Sequence, residues 1–380
     1  MKIAVIGTYS TGKTTLAETI SERFNIPYVR GDKARDIAAE FFPGKSLEKF
    51  TYDEQWSMQN KMLDSLTETQ LTPGQLVTDG CTLTCLPYGD LLCGQRIRNE
   101  PGYSAFEKQV RMAADEITHL IYIPPELGLE NDALRPASQN FRLEIDTKLL
   151  VTLKDFNFRT VTGTVEQRVE QVGRIAGIQD SPWRNYIAFE GLPRCGKTTQ
   201  LQILKSHAEQ FGAAYYQCAR FDSPYAKDLY KLKSENLRIA SKEAIELHAE
   251  ALLYDFNNNH VEERIHNREI VIADRQKHTA LALYGALGAP LHEIYRATYK
   301  VPTPGRVIYL KVSPRTSVER MKISPDGSAL KHDLMLQSRV ENLYEWLIPQ
   351  FGFEIIDGER PAEVINNLLL EKIFGGRSHE

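Results

Sequence analysis

The stretch Gly7-Thr8-Tyr9-Ser10-Thr11-Gly12-Lys13-Thr14-Thr15 has a second copy later in the chain, Gly191-Leu192-Pro193-Arg194-Cys195-Gly196-Lys197-Thr198-Thr199. Each copy follows a short apolar run, KIAVI and YIAFE, and precedes a helical pattern, LAETISERF and QLQILKSHAEQF. Strand, glycine loop and helix in that order satisfy G-x-x-x-x-G-K-[ST], the Walker A pattern. The glycines let backbone N–H groups converge on a phosphate, and the helix that follows turns its positive N-terminus to the same anion. One such match in an arbitrary loop is weak; two, each with its strand and helix, are strong.

Outward from the loops the repeat continues. QLVTDG ends an apolar run at Asp79 and IVIADR ends one at Asp274, and HLIYIPP and RVIYLKVSP follow at matching distances from the loop lysines. Short β-branched runs alternating with longer helical patterns call for parallel strands covered on both faces. The fold class expected is therefore α/β, two tandem P-loop NTPase domains, each a parallel sheet flanked by helices. A helical stretch ending near Ala176 gives way to GIQDSPWRN at 177–185, which places the domains at 1–178 and 184–380.

Such a site takes ATP with Mg²⁺. Lys13 and Lys197 would lie on the β- and γ-phosphates, and Gly7, Gly12, Gly191, Gly196, Thr15 and Thr199 would shape and line the cradle. Thr14 and Thr198 would give a hydroxyl to the metal, held in turn by Asp79 and Asp274.

Composition sets the limits. The chain has 380 residues, 42% of them hydrophobic, and a net charge of −4 from 46 basic and 50 acidic side chains. That is enough for two ordinary cores. No basic stripe advertises DNA or an anionic membrane, although the charge balance leaves a DNA partner open. The start, MKIAVIG, runs directly into a strand with no signal-peptide zones, and no apolar run nears the roughly 20 residues of a membrane span, so a cytoplasmic protein is expected. Cys81, Cys85, Cys93, Cys195 and Cys218 lack metal-ligand spacing and read as reduced thiols.

From Asn185 almost to the end, the chain resembles thymidylate kinase through ordered motifs: FEGLPRCGKTTQ, RFDSPYAKDLYKL, HAEALLYDFNNN, IADRQKHTALALYG, PGRVIYLKVSP and SVERM. The resemblance implies that Arg194 neutralises charge on the transferred phosphoryl group and that Arg275 grips the acceptor. It also puts Tyr254 where an aromatic ring stacks on the acceptor base; a core tyrosine is the equal alternative. The departures are specific. The family's loop carboxylate is Pro193 here, and two further acceptor-side arginine positions hold Pro224 and Asn258. A monophosphate acceptor carries about two negative charges and needs several cationic donors. Asp222, expected at the end of a strand YYQCARFD, stands where nucleoside kinases place a carboxylate. A hydroxyl acceptor must lose a proton, so a base there helps, whereas a phosphate needs none. Asp222 as a cap of the Asp-Ser-Pro turn is the competing reading.

Residues 1 to about 175 resemble a looser group, the nucleoside-kinase-like P-loop ATPases that include the ribosylnicotinamide kinase domain. The carriers are GTYSTGKTTL, YVRGDKARD after a second strand, a helix bearing Gln55 and Gln59, and ENDALRP. By that resemblance Asp32 is the strand-end carboxylate, Arg35 follows it, and Arg135 is a lid arginine over the triphosphate. A solvated surface charge is the other reading of Arg35. Gly80 follows Asp79 where the group carries arginine, so catalysis by this half is less well supported than ATP binding.

The function expected is an ATP-dependent kinase acting on a hydroxyl of a nucleoside-like acceptor, in one form a hydroxymethylated pyrimidine such as 5-hydroxymethyluracil, free or in DNA, as in DNA modification. Lys322 or Lys331, in KISPDGSALKH, would belong to a lid. The alternatives are a nucleoside monophosphate kinase of thymidylate kinase type and, from another class, a nucleotide-binding switch or scaffold.

Overall fold

Residues 1–31, 33–129, 138–178, 181–208, 213–217, 223–235, 240–323 and 333–374 are described by the computed structural model, with backbone alone for 206–208, 213–217, 233–235 and 322–323. The chain divides into two units, Met1–Asp180 and Ser181–Glu380.

In the first unit four parallel strands, β1 (Lys2–Ile6), β2 (Leu76–Thr78), β3 (His119–Tyr122) and β4 (Phe158–Thr160), lie in the order β2-β1-β3-β4. The two-residue period of β1 explains the layers. Ile3 and Val5 pack with Leu16, Ile20, Val169 and Val172 on one face; Ala4 and Ile6 pack with Leu63, Leu66, Val110 and Leu149 on the other. Helices Lys13–Phe24 and Val165–Ile175 thus cover one side, and Tyr52–Leu71, Tyr103–Ala114 and Gln139–Leu153 the other. Capping boxes at Thr51/Glu54 and Thr164/Gln167 start two of them.

The second unit has β5 (Tyr186–Glu190), β6 (Ala213–Gln217), β7 (Ile270–Asp274), β8 (Arg306–Lys311) and β9 (Glu354–Asp357), all parallel, in the order β6-β7-β5-β8-β9. Again β5 alternates: Ile187 and Phe189 belong to one cluster, Tyr186 and Ala188 to another. Central strands covered twice must be apolar throughout, and the fully buried YIAFE is.

The loop-bearing strand has the same neighbours in both units: β2 and β3 about β1, β7 and β8 about β5. They differ at the edge, and here one expectation needs correction. The second strand expected before YVRGDKARD is a single bridge, Tyr28 to Val77. Pro27 lends only its carbonyl, to Val77 N–H at 2.9 Å, and has no N–H to extend the ladder. In the second unit the matching strand forms as β6, and Asp222, expected at its end, lies outside the described residues. Among the described residues no helix is long and apolar enough to cross a membrane.

Candidate functional site

Parallel order places the site. Ligands of open α/β sheets collect beyond the carboxyl ends of the strands, and both glycine loops leave there from interior strands. Gly7 and Gly191 are required by close approach: a Cβ at Gly7 would stand 2.6 Å from Ile123 O, and one at Gly191 2.6 Å from Leu310 O. Gly12 and Gly196 hold φ of +83° and +104°, left-handed values that glycine takes without strain. Helices Lys13–Phe24 and Lys197–Ala208 begin at once, so Lys13, Thr14, Thr15 and Lys197, Thr198, Thr199 all lie in a first turn, where the backbone N–H groups have no helical partner.

The two lysines occupy equivalent places. Lys13 Nζ donates to Thr8 O at 2.8 Å; Lys197 Nζ donates to Gly191 O at 2.8 Å and Leu192 O at 3.0 Å and stands 3.2 Å from Cys195 Sγ. Lys197 is buried, and burial first, then the charge of Arg275, lowers its pKa. A buried ammonium held by neutral loop groups gains most when an anion arrives in the cradle.

The carboxylates come to the loops by register. Phe189 pairs with Asp274 across β5 and β7, and Asp79 stands one step past the Ala4–Thr78 pair of β1 and β2. Both are buried. Asp79 accepts the Thr14 hydroxyl on one oxygen and Gly31 N–H, at 2.8 Å, on the other. Thr198 is exposed. A glycine cradle, a lysine, a first-turn hydroxyl and a buried carboxylate are the donor set that Mg²⁺ with a triphosphate takes, and the first unit has them already in contact.

Arg275 is the main surprise of the second site. At φ +78° its side chain turns inward, Nη1 donating to Gly191 O at 3.1 Å and Thr279 Oγ1 at 3.3 Å. Thr279, one of its partners, donates in turn to Glu190, a residue that closes the strand YIAFE. Glu190 is fully buried and accepts Gln276 N–H at 2.9 Å, the Tyr344 hydroxyl at 2.8 Å and the Thr279 hydroxyl. Burial raises its pKa, with Arg275 and these bonds opposing.

Arg194 is exposed, at φ +57°, and its carbonyl receives Arg320 Nη1 at 3.4 Å; Ser317 Oγ donates to Pro193 O at 2.7 Å, so helix Pro314–Ile323 braces the loop. Tyr254 is 36% exposed and meets Tyr225 edge-on, their centroids 6.2 Å apart, which removes the core-tyrosine alternative. Asn258 is exposed and Pro224 opens a helix at the surface, so neither supplies a cation. Asp32, Arg135, Asp222 and Lys331 lie outside the described residues, and Lys322 is described in its backbone only.

Two buried arginines of the first unit went unread. Arg142 reaches Leu127 O at 2.9 Å, Ser10 O at 3.4 Å and Thr8 Oγ1 at 3.4 Å; Arg168 pairs with Glu126 at 2.7 Å and donates to Thr11 O at 2.9 Å. They hold the glycine loop from behind. The signal existed: Arg168 sits within the 165/169/172 valine stripe, and Arg142 is in helical step with Ile145, Asp146 and Leu149.

Sequence comparison divides as the structure does. Residues 2–168 match the family model described as AAA domain, and residues 189–369 match the thymidylate kinase family model. The thymidylate kinase of Fervidobacterium nodosum is 27% identical over 197 residues, 50% of this chain and 98% of its own. A probable thymidylate kinase of Pyrobaculum calidifontis is 27% identical over 47% of this chain and 89% of its own, and the thymidylate kinase of Dictyostelium discoideum is 24% identical over 48% and 81%.

Proposed function

We propose that the second unit transfers the γ-phosphoryl group of ATP to a hydroxyl of a nucleoside-like acceptor, one form of which is a hydroxymethylated pyrimidine, free or in DNA. With two Walker A loops on parallel sheets and a second half that matches the thymidylate kinase family model, this is a P-loop nucleotide kinase using ATP with Mg²⁺. Bound Mg²⁺ supplies charge neutralisation at the phosphates, and Lys197, the first-turn N–H groups and Arg194 complete it.

The observation that carries the finer reading is the poverty of cations on the acceptor side among the described residues. By the resemblance, Pro193, Pro224 and Asn258 stand at positions of acceptor recognition, and Arg275, the acceptor-side cation among the described residues, is committed to Gly191 O and Thr279 Oγ1. A dianionic monophosphate would meet little positive charge, whereas a neutral hydroxyl needs none and gains from a base such as Asp222. The Tyr225–Tyr254 pair offers an aromatic surface to a base.

A second reading, dTMP as acceptor, is favoured by similarity to thymidylate kinases along most of their length. The two separate by product: γ-³²P-ATP is incubated with 5-hydroxymethyldeoxyuridine, DNA containing that base, and dTMP. A labelled phosphomonoester on the hydroxymethyl oxygen supports the proposal; label only as dTDP overturns it.

A further inference from the structure

We infer that Ser317 is a positioning residue for phosphoryl transfer in the second unit: by holding Pro193 O, its hydroxyl aims the Arg194 side chain at the transferred group. This rests on Arg194 acting as proposed above and on no particular acceptor.

The second glycine loop is anchored at two points and arches between them. Leu192 and Cys195 are buried in the core, whereas Pro193 is half-buried and Arg194 exposed. Arg194 stands at φ +57°, a left-handed backbone that a residue with a Cβ keeps only where its surroundings fix it. That backbone decides how the side chain leaves the loop, because a return to ordinary φ values swings the Cα–Cβ bond to another direction. Whatever fixes φ at Arg194 therefore fixes where the guanidinium points.

Helix Pro314–Ile323 does the fixing. Ser317 and Met321, four residues apart on one face of it, are both fully buried. A helical serine can turn its hydroxyl back to the carbonyl four residues earlier, as Ser338 does to Leu334 O at 2.9 Å. Ser317 instead donates to Pro193 O at 2.7 Å. That oxygen belongs to the planar peptide joining Pro193 to Arg194, so the bond sets the plane about which φ of Arg194 turns. Arg320 adds a longer bond on the other side, Nη1 to Arg194 O at 3.4 Å, while its Nη2 is tied to Gly358 O at 3.2 Å. Lys197 stands apart from this arrangement, since its Nζ bonds Gly191 O and Leu192 O, ahead of the arch. Losing the Ser317 hydroxyl should thus spare ATP binding and weaken the grip on the phosphoryl group in transfer.

The test is calorimetry on the full chain carrying Lys13→Ala, which silences the first loop, with Mg²⁺ and either AMP-PNP or ADP plus aluminium fluoride, an anion that stands for the phosphoryl group in transfer. Arg194→Ala is expected to weaken the aluminium fluoride complex by about a hundredfold or more and Ser317→Ala by about fivefold to tenfold, each leaving AMP-PNP within about twofold. The two substitutions together should lose no more than Arg194→Ala alone, because Ser317 acts through that side chain. If the parent and Arg194→Ala bind the aluminium fluoride complex alike, the role of Arg194 fails and that of Ser317 with it. If the parent binds it more tightly than Arg194→Ala but no more tightly than Ser317→Ala, the role of Ser317 alone is overturned. Equal weakening of AMP-PNP by Ser317→Ala, or a Ser317→Ala loss that persists in the Arg194→Ala background, would overturn it as well.

Discussion

Truncating Glu190 to alanine removes the group on which the loop end of β5 is built. Three donors lose their acceptor: Gln276 N–H at 2.9 Å, the Tyr344 hydroxyl at 2.8 Å and the Thr279 hydroxyl. Bonds to a charged acceptor contribute about 1.5–3 kcal/mol each, which would sum to about 5–9 kcal/mol. Removing the carboxylate also relieves its own desolvation, several kcal/mol, so the net loss comes to about 3–5 kcal/mol, the range for breaking one side of a buried charged network. At about 2–4 °C for each kcal/mol in a unit of this size, the transition should fall by about 6–20 °C. Glu190→Gln keeps the shape: its oxygen still accepts from Gln276, and both hydroxyls turn to accept from its N–H₂. Only the charge facing Arg275 is lost, for about 1–2 kcal/mol. The assay is thermal unfolding by tryptophan fluorescence in a Trp56→Phe background, where Trp183 and Trp346 report the second unit. An alanine variant melting within about 2 °C of its parent, or a glutamine variant equally damaged, would refute the reasoning.

Further outcomes follow from the same geometry. Gly191→Ala sets a Cβ 2.6 Å from Leu310 O and 2.9 Å from Cys195 Sγ at φ +140°, so it should cost about 2–4 kcal/mol in urea unfolding and abolish nucleotide binding by the second loop. Arg168→Met strands the buried Glu126 carboxylate and should cost about 3–5 kcal/mol, most of it recovered when Glu126→Gln is added. Asp146, buried under the Tyr122 hydroxyl, has its pKa pushed up by burial to about 7. The folded unit therefore holds that proton more tightly than the unfolded chain, and stability should fall by up to about 4 kcal/mol as pH rises from about 4 to about 7; Asp146→Asn should flatten that slope.

Period and punctuation made the fold readable. The alternation in KIAVI and YIAFE announces two covered faces, and the glycine loops announce which strands sit inside the sheet. Edges were less legible, because an edge strand depends on few bonds: Pro27 was enough to reduce one to a bridge. At the site, loop lysines, hydroxyls and strand-end aspartates follow from a local motif, so Lys13, Thr14, Asp79, Lys197 and Asp274 could be named from the chain alone. Glu190, Arg142 and Arg168 act through partners far away in sequence, such as Tyr344 or Thr11, and only the fold brings those together. Arg275 shows the limit of motif reading: the residue was named, but its inward turn toward Gly191 O and Thr279 Oγ1 is marked by no motif.

The most direct test is ATP consumption by the intact chain, Lys13→Ala and Lys197→Ala, offered nucleosides, nucleoside monophosphates, and DNA with and without 5-hydroxymethylpyrimidines. Turnover on a hydroxymethyl acceptor that survives Lys13→Ala and disappears with Lys197→Ala is the predicted result. Turnover confined to monophosphates, or unchanged by Lys197→Ala, would contradict it.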